Sequence, residues 1–355
     1  MNPFNPTFGD VPDIFLSSDT STTKLVKTIK QSSFSRTFFI TGVRGAGKTA
    51  FVTKVCELLE SDPNCIYLDL LNKNGLLTSF AQQLDHKLHS PLIRSLGSVR
   101  SLSIGSFGLS RESDPIEVDL WLDTLMQEVA QTNKYVVICI DEVTNSKAIT
   151  DFAQVYSSLK RKKYPLFVLM TGLPDLVLDI QNNDKLTFLL RSEKITMSPL
   201  EKSDMIYAYQ QTFACSAPLA SKLVQMTKGY AYAFQLLGYL LYEQCQGQTP
   251  TEKDVAAIKL RYQTKLFDNA YQKIYTSLSE IDRQYLQAVA KKRKFSAVVE
   301  LMGKDKVFVS QYRRRALERH LIVPTGYGYV AYTLPYFEDY LMQARDPDSA
   351  YYLGY

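Results

Sequence analysis

Unbroken runs of apolar and β-branched residues recur through the first two hundred positions. They lie at 38–41, 135–140 and 166–170, with one interrupted by Asp69 at 65–70 and a shorter, more polar one at 194–197. A strand with one wet face alternates apolar and polar residues. A strand covered on both faces, as in a parallel sheet, reads as a continuous apolar run. Between these runs the apolar positions recur at helical spacing, over 50–60, roughly 75–92 and 119–131. In the last of these Trp121, Leu122, Leu125, Met126 and Val129 share one side, so the single Trp reads as core. Strand and helix in alternation predict an α/β parallel sheet with helices on both faces.

From Ser203 the pattern turns helical, with segments 204–212, 217–227 and 232–245 and a break at Gly229. Gln246-Gly247-Gln248-Thr249-Pro250 reads as a turn and a boundary, after which Thr251 caps a helix reaching about 270. The C-terminal third predicts helices at 280–290, 295–302 and 307–321, then a strand at 327–332 after a Thr325-Gly326 turn. Three helices followed by a short hairpin is the plan of a winged helix-turn-helix. In the third helix Ala316, Leu317, His320 and Leu321 are expected to face the core. The segment 95–113, rich in Ser and Gly, interrupts the α/β rhythm and reads as a hairpin or loop inserted into it. Such an insertion suits contacts with a protein partner or a second copy of the chain, and an inert loop fits equally well.

Composition narrows the class. A chain of 355 residues with 45% hydrophobic residues accommodates two or three domains with real cores. No apolar run is long enough to span a bilayer, and MNPFNPTFGD lacks the basic start and apolar stretch of a signal peptide. A cytoplasmic protein that does not engage a membrane is the expectation. Five scattered cysteines without C-x-x-C pairing fit reduced thiols, and three isolated histidines do not make a metal site. The net charge of +5 is unevenly spread. From Lys291 to Arg319 ten basic residues face three acidic ones, which points to an anionic partner for that part of the chain.

The candidate chemistry begins where the first strand ends. Gly42-Val43-Arg44-Gly45-Ala46-Gly47-Lys48-Thr49 fills the phosphate-loop pattern G-x-x-x-x-G-K-[ST], with a strand before it and a helix opening at Ala50 after it. Glycines let successive N–H groups turn toward phosphate oxygens, and the helix N-terminus adds its positive end. Lys48 is then placed for the β- and γ-phosphates and Thr49 for Mg²⁺. Asp141 and Glu142 end the strand 135–140, where ligands sit in such sheets. Asp141 is a candidate Mg²⁺ carboxylate, and Glu142 would orient the attacking water. Thr171, at the end of the next strand, would sense the γ-phosphate or merely cap its strand. Arg191 closes a helical stretch, either as a dipole partner or as a finger reaching a neighbouring subunit's site. With no N-K-x-D sequence to select guanine, adenine is favoured and ATP is the expected nucleotide. Lys292, Arg293 and Lys294, with Tyr312, Arg313, Arg314, Arg315 and Arg319 of the third C-terminal helix, are the candidate contacts to double-stranded DNA. Tyr327 and Tyr329 fall where a wing would touch the backbone.

These residues together resemble AAA+ or STAND-type P-loop ATPases. The resemblance rests on N-P-F-N-P-T-F-G-D-V-P at 2–12, the loop at 42–49, the strand 135–142, Thr171–Pro174, Ser198-Pro199-Leu200 and the segment 229–238. The nearest type is similar to the origin-recognition ATPases of bacteria and archaea, which end in a winged helix. That family implies a sheet of order 5-1-4-3-2, an ATP site against a helical lid, and nucleotide-controlled assembly. It also frames the domains: a P-loop αβα core at 1–200, a helical lid at 201–250, a linker helix at 251–275 and a winged-helix domain at 276–355. Two departures stand out. Leu16-Ser17-Ser18 replaces the family's Gly-Arg, and Gly229-Tyr230-Ala231 replaces its Gly-x-Pro, with Tyr232 and Phe234 where an arginine is usual. A missing second sensor arginine implies slow, switch-like hydrolysis. The competing expectation is a signalling or defence switch whose winged helix binds protein.

Overall fold

The computed structural model describes residues 2–7, 11–16, 19–31, 36–88, 115–181, 186, 189 and 191–344. The segment expected to form a hairpin or loop at 95–113 lies outside the described residues, as does the tail from 345. The chain divides into two compact units. One comprises Thr22–Thr41 and Val52–Thr196; the other comprises Met1–Ser21, Gly42–Phe51 and Met197–Tyr355.

In chain order the first elements are α1 (Asp19–Gln31), β1 (Thr37–Thr41), α2 (Lys48–Glu60), β2 (Cys65–Leu70) and α3 (Leu76–Leu88). They are followed by α4 (Pro115–Ala130), β3 (Tyr135–Ile140), α5 (Lys147–Arg161), β4 (Leu166–Gly172), α6 (Pro174–Gln181) and β5 (Glu193–Thr196). The five strands form one parallel sheet in the order β2-β3-β4-β1-β5, which is the expected 5-1-4-3-2 arrangement. β1 and β4 are buried throughout, and β3 from its second residue on. Continuous burial is why these strands read as unbroken apolar runs. β5 is an edge strand with Glu193, Lys194 and Thr196 exposed, so its pattern is weaker. Ser146 caps α5 by accepting from the Ile149 N–H, and Phe152 on that helix packs near Phe80 of α3. Trp121 is half-buried at the border of this core. The cysteines are free thiols, and burial pushes Cys65 up to about 12, leaving it a poor nucleophile.

The second unit is helical. It contains α7 (Lys202–Phe213), α8 (Ala217–Thr227), α9 (Ala231–Gln244) and α10 (Glu252–Leu266), the last opened by a capping box between Thr251 and Asp254. α10 runs into a π-helical turn, Phe267–Tyr271, and a short α11 (Gln272–Thr276). A C-terminal module follows: α12 (Glu280–Lys291), α13 (Phe295–Met302), α14 (Lys306–Glu318), an antiparallel hairpin of β6 (Ile322–Gly326) and β7 (Tyr329–Tyr332), and α15 (Phe337–Gln343). One apolar cluster runs without a break from α7 to α15. The aromatic residues at the start of the tyrosine-rich tail belong to it. Phe337 and Tyr340 pack on Tyr271, and Tyr336 meets Tyr262 edge-on. Among the described residues no helix is long and apolar enough to cross a membrane.

The N-terminal arm docks on α9. The Phe4 ring sits among Tyr209, Phe213 and Phe234, each with its centroid 5.7 Å away. Gly238 makes this possible, because a Cβ there would run into the Phe4 ring. The Gln235 side chain accepts from the Asn5 N–H (3.0 Å) and donates to the Ile14 carbonyl (2.8 Å). Replacing Phe4 with Leu keeps an apolar group but loses the aromatic fit. It is expected to cost about 1–2 kcal/mol, measured as a lower midpoint in urea denaturation of the full chain.

Candidate functional site

β1 ends at Thr41, and the chain passes directly into the loop 42–47 and then into α2. Gly45 (φ +76°) and Gly47 (φ +85°) occupy the left-handed region that side chains disfavour, which is why this turn calls for glycine. The Ala46 N–H donates to the Val43 carbonyl at 3.2 Å, and the Lys48 ammonium donates to the carbonyls of Gly42 and Val43, each at 3.0 Å. Arg44 is exposed, and Val43, Gly45, Ala46, Gly47, Lys48, Thr49 and Ala50 are partly exposed. Two tyrosines at the start of α9 grip the loop. The Tyr230 hydroxyl donates to the Arg44 carbonyl (2.6 Å), and the Tyr232 N–H donates to the Gly45 carbonyl (3.0 Å). A Cβ on Gly45 would collide with the Tyr230 hydroxyl, so close approach requires glycine there as well. Burial, and then the neighbouring Tyr232, raise the Tyr230 phenol above its ordinary pKa and keep it a donor.

In the other unit the structure brings Asp141, Glu142 and Thr171 together at the C-terminal ends of β3 and β4. Thr171 is fully buried, and its hydroxyl donates to Asp141 Oδ1. The Glu142 N–H is shared between Asp141 Oδ1 and Thr171 Oγ1, each at 3.1 Å. Glu142 itself is left-handed (φ +51°) and exposed. Its carbonyl receives the Asn72 amide at 2.9 Å, and the same amide reaches Thr144 Oγ1 at 3.3 Å. A two-acid turn is thus held from three sides. Partial burial, and then the Asp141 charge, raise Asp69 on the adjacent strand above the usual carboxylate value. Asn72 is not among the residues that the sequence singles out. Its position just past the end of β2, the strand beside β3, was the signal. Arg191 is exposed and precedes β5 in the chain.

Among the basic candidates of the C-terminal module, the structure separates two groups. Lys292 and Lys294 are exposed between α12 and α13, whereas Arg293 pairs with Glu338 and covers the Tyr332 ring at 5.1 Å. On α14, Tyr312 packs against Phe308 and Arg313 lies over the Phe295 ring at 5.2 Å. Arg315 and Arg319 converge on Asp282 Oδ2, at 2.7 and 3.4 Å. Arg314 is open to solvent, 3.6 Å from Glu318. The exposed stripe of α14 is therefore Lys306, Val307, Ser310, Gln311, Arg314 and Glu318, spaced three and four apart. Counting charges could not separate these groups; helical phase from the Asp305 cap could. His320, expected to face the core, is instead exposed. It adopts φ +55° at the end of α14, where the chain turns into β6.

The sheet order, the glycine loop between β1 and α2, and the acidic end of β3 define the αβα core of the P-loop NTPase fold. Solved structures show the likeness over nearly the whole chain. The Walker-type ATPase PABY2304 of Pyrococcus abyssi is 13% identical, with a TM-score of 0.64 covering 92% of this chain and 96% of that one. The ORC2 protein of Aeropyrum pernix, in its ADPNP-ADP complexes, is 12% identical, with a TM-score of 0.56 and coverage of 96% and 97%. A family model described as a domain of unknown function (DUF8462) matches residues 268–341. No curated protein matches the sequence.

Proposed function

We propose that the chain binds and slowly hydrolyses ATP, and that its C-terminal module is a winged helix that engages double-stranded DNA under control of the nucleotide. The observation that carries this reading is the glycine loop 42–47, with two left-handed glycines, opening onto α2. Its N–H groups and Lys48 would take the phosphates. Thr49 and Asp141 would hold Mg²⁺. A hydroxyl and one or two carboxylates, completed by phosphate oxygens, suit that ion. They do so without a dedicated cage, and among the described residues none is found. The ion would supply charge neutralisation at the phosphates. Glu142 would orient and deprotonate the attacking water, and Thr171 with Asn72 would fix the turn that carries it. Arg191, exposed before β5, would serve a neighbouring copy's site in an assembly. The ORC2 protein's ADPNP-ADP complexes agree with nucleotide binding by this fold.

For the DNA arm, the support is the exposed stripe on α14 together with Lys292, Lys294 and the fully exposed Tyr327 at the hairpin tip. Gln311 and Arg314 carry the donors that read adenine and guanine edges, and Lys306 suits a phosphate. Arg293, Arg315 and Arg319 would serve the module's own structure, since each meets an internal carboxylate. Those internal pairs favour the second reading, a signalling or defence switch whose winged helix binds protein.

Anisotropy of a fluorescent duplex separates the two. It is run across a salt series with no nucleotide, with ADP, and with a non-hydrolysable ATP analogue. Binding is expected to fall steeply with salt, to depend on the ATP analogue, and to weaken about tenfold in Arg314→Ala. Binding that is negligible in every nucleotide state would reject the DNA arm and support the protein partner.

A further inference from the structure

The five residues Lys228–Tyr232 touch two places that the proposed function assigns to different tasks. Toward the phosphate loop, Tyr230 Oη and Tyr232 N–H hold the carbonyls of Arg44 and Gly45. Away from it, the Tyr232 hydroxyl accepts from Asn269 Nδ2 at 2.9 Å. Asn269 lies within the π-helical turn that joins α10 to the C-terminal module. Two residues before the loop-gripping tyrosine, Lys228 Nζ donates to the carbonyls of Tyr332 (3.3 Å) and Leu334 (3.4 Å), at the end of β7.

The segment is also held in one conformation. Lys228 (φ +51°) and Gly229 (φ +76°) are consecutive left-handed residues, and the Gly229 carbonyl accepts from the Leu200 N–H at 2.8 Å. A Cβ on Gly229 would meet Pro199 Cβ at 2.8 Å, so the close approach of Pro199 requires glycine there. A single π turn inside a helix carries one residue too many for the α ladder. Such turns occur frequently at functional sites. Here Asn269, within the turn, reaches the Tyr232 hydroxyl.

We propose that Lys228–Tyr232 is the coupling segment between the phosphate loop and the C-terminal module, with Tyr230 and Tyr232 as positioning residues and Asn269 and Lys228 as their anchors. The inference rests on the reading of the loop as a nucleotide site and of the module as a DNA-binding one. Its physical content is simple. Turning loop N–H groups toward phosphates rotates the same peptide planes whose carbonyls Tyr230 and Tyr232 hold. Occupancy of the loop therefore pulls on, or is favoured by, one setting of the segment. The same setting places the π turn and the end of β7. Linkage makes the effect reciprocal, so DNA on the module changes nucleotide affinity by the same factor as nucleotide changes DNA affinity.

Two measurements on the full chain test it. In the first, the duplex dissociation constant is measured with and without the ATP analogue for wild type, Tyr230→Phe and Asn269→Ala. The wild-type ratio is expected to be on the order of five- to tenfold and to fall below about twofold in both variants. Asn269→Ala should leave duplex affinity without nucleotide unchanged. Ratios that stay at the wild-type value in both variants overturn the proposal.

The second measurement does not depend on DNA or nucleotide. Hydrogen exchange of residues 42–51 in the ligand-free chain is expected to speed up several-fold in Asn269→Ala while the exchange of β3 and β4 is unchanged. Loop exchange identical to wild type overturns the relay even if the duplex is never bound. A wild type that shows no nucleotide effect on DNA, yet in which Asn269→Ala loosens the loop, sinks the functional reading and leaves the relay standing.

Discussion

Asp282→Ala is expected to destabilise the C-terminal module by about 2–4 kcal/mol, seen as a large drop in its urea midpoint. The carboxylate is only 5% exposed, and four groups use it. Arg315 and Arg319 approach Oδ2 from α14, and the Ser279 N–H (3.3 Å) and Oγ (2.6 Å) approach it from the start of α12. Alanine removes the shared acceptor. It leaves a guanidinium that is 16% exposed beside a site that no longer balances its charge, and it deletes half of the α12 capping box. The upper end of the range applies to a fully buried pair. Arg315, 41% exposed, can rehydrate and lowers the cost. A loss below about 0.5 kcal/mol, the scale of a surface substitution, would mean that these arginines are not held by Asp282 and are available to a partner.

Glu142→Gln is expected to lower ATP turnover by about 100-fold or more while fluorescent ATP binding persists. Glutamine keeps the length and polarity of the side chain and removes the group that can accept a proton. The backbone cage should survive, because the bonds that hold it run through the Glu142 N–H and carbonyl to Asp141, Thr171 and Asn72. Phosphate release and nucleotide binding, measured on the same preparation, separate chemistry from affinity. Unchanged turnover would remove Glu142 from the role of base, and loss of binding would show that the substitution had collapsed the turn.

Much of the candidate site was legible before the fold. The loop 42–49 declares itself because phosphate binding requires glycine at fixed steps, a lysine and a hydroxyl, all within eight consecutive residues. The pair Asp141-Glu142 stands out for a related reason: two acids directly after a fully apolar run mark a strand end. Asn72 did not stand out, and Tyr230 did so only as part of a departure from the family pattern, without its contact to the loop. Each acts on a peptide group far away in the chain, and a hydrogen bond to a backbone carbonyl leaves no composition or spacing to find.

The basic face shows the same division. Local charge singles out the stretch, since ten basic residues fall between Lys291 and Arg319. Which of them face outward was decided by Asp282, Glu338 and the Phe295 ring, all brought in from other helices. By itself, then, the sequence determined the parallel sheet, its order through the family resemblance, the phosphate loop and the acidic strand end, because burial on both faces and phosphate chemistry act on contiguous residues. The grip of α9 on the loop, the link through the π turn and the sorting of the arginines into paired and exposed were decided only by the tertiary structure, because each depends on groups that meet across tens to hundreds of residues of chain.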